Sequence, residues 1–174
     1  MNTAETGQRY DELPLGHVVT AMIAHEQGNI RRIAHALKMH GYALAIAAGE
    51  GVKAKELTLL QAAAILHDVG ISAAIRQHGE STRQLQEELG AIVAREILLA
   101  LGWPESDTER VCFLIGNHHS YDVDGGILLQ IIFEADYCVN FQEGSRPDTS
   151  AEDMLKLFVT SAGKALFAAM HIEG

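Results

Sequence analysis

Two aspartates stand at positions where an ionised side chain is costly. Asp68 closes an almost entirely apolar segment, and Asp136 shares one helical stripe with apolar side chains, namely Leu129, Ile132, Phe133 and Val139. Burying an unpaired carboxylate is strongly unfavourable, so each aspartate needs a partner. Taken singly, Asp68 could begin a turn into Gly70, and Asp136 could be satisfied by an arginine or a backbone N–H group.

Histidines accompany both aspartates. His67 directly precedes Asp68, His35 lies in a largely apolar predicted helix, and His118 and His119 follow another. Each has an ordinary interpretation, a satisfied core side chain for His35 and surface polar residues for His118 and His119. Imidazole and carboxylate are also the ligands of divalent ions such as Mn, Fe, Co, Ni or Zn. Since one cation would cancel the burial cost of both aspartates, the set predicts a metal site.

Helices must position these side chains, because Ala and Leu are abundant and aromatic residues make up only 6% of the chain. Apolar periodicity predicts seven helices, over about 13–27, 30–49, 58–68, 82–101, 104–119, 127–141 and 151–170.

Local signals predict where these helices begin and end. Asn29 and Thr58 are candidate N-caps, Gly70 is predicted to end the third helix, Gly102 the fourth, and Pro104 to open the fifth. The polar segments 1–12 and 72–81 are predicted to be irregular, and 142–150 a linker.

Composition limits the class of protein. The 174 residues suit one globular domain, and a net charge of −10 argues against a nucleic-acid polymer as partner. Cys112 and Cys138 are far apart and form no CxxC motif, so free thiols in a reducing compartment are expected. The sequence suggests no signal peptide and no membrane span, which favours the cytoplasm.

The order His35, His67-Asp68, Asp136 across successive helices resembles the HD superfamily of metal-dependent phosphohydrolases. Four segments strengthen the similarity, 33–43, 63–70, 90–94 and 133–136. The resemblance covers about residues 30–141. It implies an all-α, compact bundle of six to seven helices, with that core as a single domain and the first and last helices packed on it.

The resemblance also implies a ligand set. His35, His67, Asp68 and Asp136 would hold one divalent ion per chain, among Mn, Fe, Co, Ni, Zn and Mg. His118-His119, followed by Asp124-Gly125-Gly126, resembles the paired histidines of binuclear members. The Gly-Tyr-Pro signature of one binuclear branch is missing, and Gln86 stands where binuclear members tend to carry a histidine. A second metal is therefore expected to bind weakly or not at all.

The activity implied by the family is hydrolysis of a phosphate ester, with a small phosphorylated metabolite or nucleotide as substrate. Asp68 would orient the attacking water, and His118 or His119 would transfer a proton or contact substrate phosphate. Arg32 and Lys38 flank His35 and could reach the same phosphate, although a solvated basic face is the alternative.

Two other classes remain open at this point. Some binuclear HD proteins are di-iron oxygenases that cleave carbon–carbon or carbon–phosphorus bonds, and Gln86 argues against the second iron. A non-catalytic module that binds a metal or nucleotide is the other class. The apolar final helix could dock on the body of the chain or on a second subunit, which leaves a homodimer open.

Overall fold

The computed structural model describes residues 15–172, and in this range every regular element is a helix, which confirms the all-α prediction. The helices are α1 (Leu15–Glu26), α2 (Ile30–Gly49), α3 (Ala54–Leu66), α4 (Val69–His78), α5 (Arg83–Ala100), α6 (Glu105–Ile115), α7 (Gly126–Gln142), α8 (Ala151–Leu155) and α9 (Ser161–His171). The predicted segment 1–12 and the start of the first predicted helix lie outside the described residues.

Helices with clear capping signals begin where the sequence predicts. The side chain of Asn29 accepts a hydrogen bond from Arg32 N at 3.3 Å and caps α2, and Thr82 caps α5 by accepting from Leu85 N at 3.2 Å. Gly102, just after α5, adopts a φ of +79°, which glycine tolerates without strain.

The predicted bounds of the third helix were wrong at both ends. It begins at Ala54, and Thr58 is a buried residue inside it whose hydroxyl donates to Ala54 O at 3.1 Å. Gly70 does not end a helix, because α4 runs through the segment predicted to be irregular. Here α4 packs directly on the α5 backbone, and a Cβ at Gly70 would overlap Gln86 O. This contact between distant segments has no local sequence signal.

The last predicted helix is two helices, which together with α4 gives nine elements in residues 15–172 instead of six or seven. The chain turns between α8 and α9, where the side chain of Thr160 caps α9 by accepting from Gly163 N at 2.9 Å. The buried carboxylate of Glu134 accepts from Val159 N at 2.6 Å and Thr160 N at 2.8 Å. Glu134 therefore satisfies the backbone N–H groups that the break exposes.

The apolar helix α3 lies in the centre, where α1, α2, α6 and α7 all pack on it, and α9 covers α2 and α7. Ala54–His78 is long and apolar enough by composition to cross a membrane, but 78% of its most apolar window is buried inside the protein. The core helix of a folded protein accounts for this pattern. The same arrangement brings the C-terminal end of α3 beside the inward faces of α2 and α7.

Candidate metal centre

The predicted ligands lie close together and come from three parts of the fold. His35 lies within α2, His67 and Asp68 lie in the break between α3 and α4, and Asp136 lies within α7. The Nε2 atom of His35 is 3.3 Å from His67 Nε2, 3.6 Å from Asp68 Oδ2 and 3.4 Å from Asp136 Oδ1. His67 Nε2 is 3.4 Å from Asp68 Oδ2 and 3.8 Å from Asp136 Oδ1.

These separations suit a bound cation. Metal–ligand distances of about 2.0–2.2 Å place neighbouring tetrahedral or octahedral ligands about 2.8–3.6 Å apart. The ligand–ligand distances in the structure reach from within that range to slightly above it. The donor set is also suitable, since two imidazoles and two carboxylates fit a borderline divalent ion. Ligation by His35, His67, Asp68 and Asp136 stays a prediction, and the geometry is compatible with it.

Hydrogen bonds to the backbone orient two of the imidazoles. His67 Nδ1 lies 2.9 Å from Ala64 O and His118 Nδ1 lies 2.6 Å from Ile115 O. A carbonyl oxygen only accepts, so both Nδ1 atoms carry a proton, and in the neutral form of each ring the Nε2 atom presents a lone pair. His118 Nε2 is buried without a hydrogen-bond partner and lies 3.6 Å from Asp68 Oδ1. An unpartnered lone pair aimed at a carboxylate is expected where a cation or substrate proton binds.

Glu143 supports the site from outside the four predicted ligands. Its Oε2 atom lies 3.1 Å from His35 Nδ1, and its Oε1 atom accepts from Lys38 Nζ at 2.8 Å. A carboxylate behind an imidazole fixes the ring and increases its basicity toward a metal. Residue 143 falls within the predicted linker 142–150, whereas in the structure it directly follows α7. The signal that would have found it is its spacing, seven residues after Asp136 and hence on the same helical face.

The charges and the burial of the cluster set the protonation states of its members. Burial raises the pKa of Asp68, but His67, His118 and His35 outweigh it and hold that pKa well below its usual range. Burial is the largest cause that lowers the pKa of His67. Burial acts the same way on His35, yet a hydrogen bond to Asp136, the charge of Asp68 and a hydrogen bond to Glu143 raise its pKa to about 9. Asp68 is therefore anionic and His67 neutral at neutral pH, as a metal requires, whereas His35 carries a proton that a bound metal would displace.

His118 and His119 lie in the turn after α6, which ends four residues earlier than predicted. Together with Asp68 they bring one possible ligand atom each to within 4.8 Å of one another. His119 donates from Nε2 to Gln86 Oε1 at 3.0 Å, and its backbone N–H donates to Glu87 Oε1 at 2.8 Å. Burial and the neighbouring His118 lower the pKa of His119 to about 4. Gln86 thus positions His119, which sequence spacing alone did not show.

Arg32 and Lys38 each lie beside a carboxylate of the same chain. Arg32 Nη1 donates to Ser72 Oγ at 2.6 Å and lies 3.8 Å from Glu26 Oε2, while Lys38 pairs with Glu143. Arg32 also lines a cavity of about 340 Å³ together with His35 and Asp68. The predicted contact of these two cations with substrate phosphate stays a prediction, and both would have to share their charge with a carboxylate.

Comparison with known proteins gives one family. The family model of the HD domain matches residues 32–140, which is more than half of the chain and includes all four predicted ligands and both adjacent histidines. Searches among curated proteins and among solved structures gave no significant match. The HD domain belongs to a superfamily of metal-dependent hydrolases, and the cluster of His35, His67 and Asp68 could hold the metal. On this match, the chain belongs to the HD family.

Proposed function

We propose that this protein is a metal-dependent phosphohydrolase that cleaves a small phosphate ester. The observation that carries the proposal is the convergence of His35, His67, Asp68 and Asp136 within ligand distance of one another, from three separate places in the chain. Two imidazoles and two carboxylates at these separations are suited to a shared cation, which would offset the cost of holding both carboxylates largely away from water.

A divalent cation bound by these four residues would polarise a phosphoryl oxygen and lower the pKa of a water molecule toward neutrality. Asp68 is suited to orient that water, since its Oδ2 atom faces His35 and His67 while its Oδ1 atom faces His118. His118 is held by its bond to Ile115 O, so its free Nε2 atom has a defined direction. In its neutral form, it would accept the proton of the attacking water and pass it to the oxygen of the departing alcohol, as the new P–O bond forms and the ester P–O bond breaks.

The first experiment is elemental analysis of the purified protein combined with phosphatase assays across added divalent metals. We expect about one metal per chain and hydrolysis that a chelator abolishes. The variant Asp68→Ala should lose both. Asp122→Ala is the matched control, because Asp122 is an exposed aspartate in the turn between α6 and α7. An Asp68→Ala protein that keeps stoichiometric metal and full activity would contradict the ligand assignment.

A second candidate function has one observation in its favour. Asp68, His118 and His119 form a second group able to hold a cation, and it shares Asp68 with the first. Two irons per chain without phosphatase activity would support the di-iron oxygenase, whereas tight nucleotide binding without turnover would support a non-catalytic module. The side chain beside His119 is Gln86, which accepts a hydrogen bond from His119 Nε2 and is not an imidazole. The second group therefore has two imidazoles and one carboxylate as possible ligands.

The wider setting is also part of the proposal. A net charge of −10 supports a small phosphorylated substrate over a nucleic-acid polymer, because the protein surface repels an extended phosphate backbone. We propose a cytoplasmic enzyme without a membrane partner. A homodimer would be detected by size-exclusion chromatography with light scattering.

A further inference from the structure

A cavity of about 340 Å³ opens directly beside the candidate metal centre. It is lined by the ligand Asp136 and by His119, and on its rim lie Arg83 at the start of α5 and Arg146 in the loop after α7. Because a predicted ligand forms part of its wall, any molecule in this cavity is next to the metal centre.

Two guanidinium groups make this cavity the positive side of the centre. Within residues 15–172, neither Arg83 nor Arg146 forms an ion pair with a carboxylate, in contrast to Arg32 and Lys38. Arg146 is held over an aromatic ring, with its Cζ atom 5.3 Å from the centroid of Tyr137. In a chain of net charge −10, unpaired arginines beside a metal centre are suited to an anionic group.

An aromatic cavity of about 390 Å³ continues from the first one and shares Tyr121 and Arg146 with it. Its other apolar walls are Phe133, Tyr137, Leu157 and Val159. The ring of Tyr121 meets Phe133 edge-on at 4.9 Å between centroids and lies 5.9 Å from the ring of Tyr137. Tyr121 is 47% exposed and Val159 68% exposed, so apolar surface faces the empty space of this cavity.

On the basis of the proposed function, we propose that the substrate is a phosphomonoester of a planar aromatic group. Its phosphate would lie between the metal centre and the guanidinium groups of Arg83 and Arg146. Its ring would lie against Tyr121 and Tyr137, where an aromatic face gains stacking and covers exposed apolar surface. A sugar phosphate would leave these walls uncovered, whereas an aryl phosphate and a nucleoside monophosphate both carry the required ring.

Binding of two phosphonates to the metal-loaded protein tests this inference without requiring turnover. Phenylphosphonate and methylphosphonate share the anionic group and differ in the ring, and calorimetry measures both. We expect phenylphosphonate to bind at least about tenfold more tightly. Tyr121→Ala should remove most of that preference and leave methylphosphonate affinity unchanged. Arg146→Gln should weaken both ligands. Phe113→Ala removes an exposed aromatic residue on α6 that lines neither cavity, and it should change nothing.

The outcomes separate this inference from the proposed function. Equal affinity for the two phosphonates, or an unchanged preference in Tyr121→Ala, overturns the aromatic subsite even if phosphate esters are hydrolysed. Preferential binding of phenylphosphonate without hydrolysis of any ester under any metal supports the subsite and contradicts the proposed function. Turnover of phenyl phosphate, adenosine 5′-monophosphate and ribose 5-phosphate then identifies the source of the ring. Faster turnover of ribose 5-phosphate than of both others would contradict the inference.

Discussion

Two carboxylates on α7 lie two residues apart, and both are buried. Glu134 accepts hydrogen bonds from Gln130 Nε2 at 2.8 Å, from the backbone N–H groups of Val159 and Thr160, and from the Thr160 hydroxyl. The nearest ionisable partners of Asp136 are imidazoles, with His35 Nε2 at 3.4 Å and His67 Nε2 at 3.8 Å. Glu134 is fully buried, and Asp136 is 8% exposed.

The difference between them lies in the donors that tertiary structure supplies. A carboxylate surrounded by N–H and O–H donors is satisfied, and it gains nothing further from a cation. A carboxylate surrounded by imidazole lone pairs is not satisfied until a proton or a metal joins them. Burial alone therefore does not indicate a metal ligand, whereas the neighbouring groups distinguish a satisfied carboxylate from a candidate ligand.

The largest expected effect is on metal binding. Asp136→Asn removes an anionic ligand, so we expect metal affinity to fall by more than about 100-fold, beyond the loss typical of an outer partner. Glu134→Gln should retain about one metal per chain. Competition titration with a chromogenic chelator measures both. A folded Glu134→Gln protein that had lost its metal would contradict the distinction between the two carboxylates.

A smaller loss of metal affinity is expected from the carboxylate behind His35. Glu143→Gln keeps the size of the side chain but weakens its hold on His35 Nδ1, which should reduce metal affinity by about 10–100-fold. Lys38→Met removes the other partner of Glu143 and is the control. Equal affinity of Glu143→Gln and wild type would mean that the imidazole is positioned by the helix alone.

For the stability of the metal-free protein, we expect a substitution at Glu134 to have a larger effect than a substitution at Asp136. Glu134→Leu leaves the N–H groups of Val159 and Thr160 buried without an acceptor, and we expect a loss of about 2–4 kcal/mol in the free energy of unfolding. Asp136→Asn should cost less than about 1 kcal/mol, because it leaves no such donor. Urea denaturation in excess chelator measures both. A larger loss in Asp136→Asn would show that Asp136 also has a structural role.

The smallest effect concerns the space around Glu134. A Cβ at Gly163 would overlap the Oε2 atom of Glu134, so Gly163→Ala should lower the free energy of unfolding by about 1–3 kcal/mol. Gly41→Ala is the matched control, since that helical glycine has no neighbour within 4 Å of the added carbon. It should raise stability by about 0.5–1 kcal/mol through its better helix propensity. Thermal unfolding in the absence of metal distinguishes them.

Sequence reasoning predicted which ionisable side chains come together better than it predicted the helices around them. It named four residues that the structure brings together, because ionisable side chains in apolar helical stripes are visible locally. It missed Glu134, Glu143 and the two unpaired arginines. Each of these owes its surroundings to contacts between segments far apart in the chain, such as Glu143 with His35 across 108 positions.

The sequence by itself determined the helical class, the bounds of α2 and α5, and the family, since caps and periodicity act over only a few residues. Tertiary structure decided the rest. Only the packing of Gly70 on α5 accounts for α4 in a polar segment, and only Glu134 makes the break before α9 favourable. The physical reason is the same in both cases, because a backbone group is satisfied by whatever donor or acceptor the folded chain brings to it.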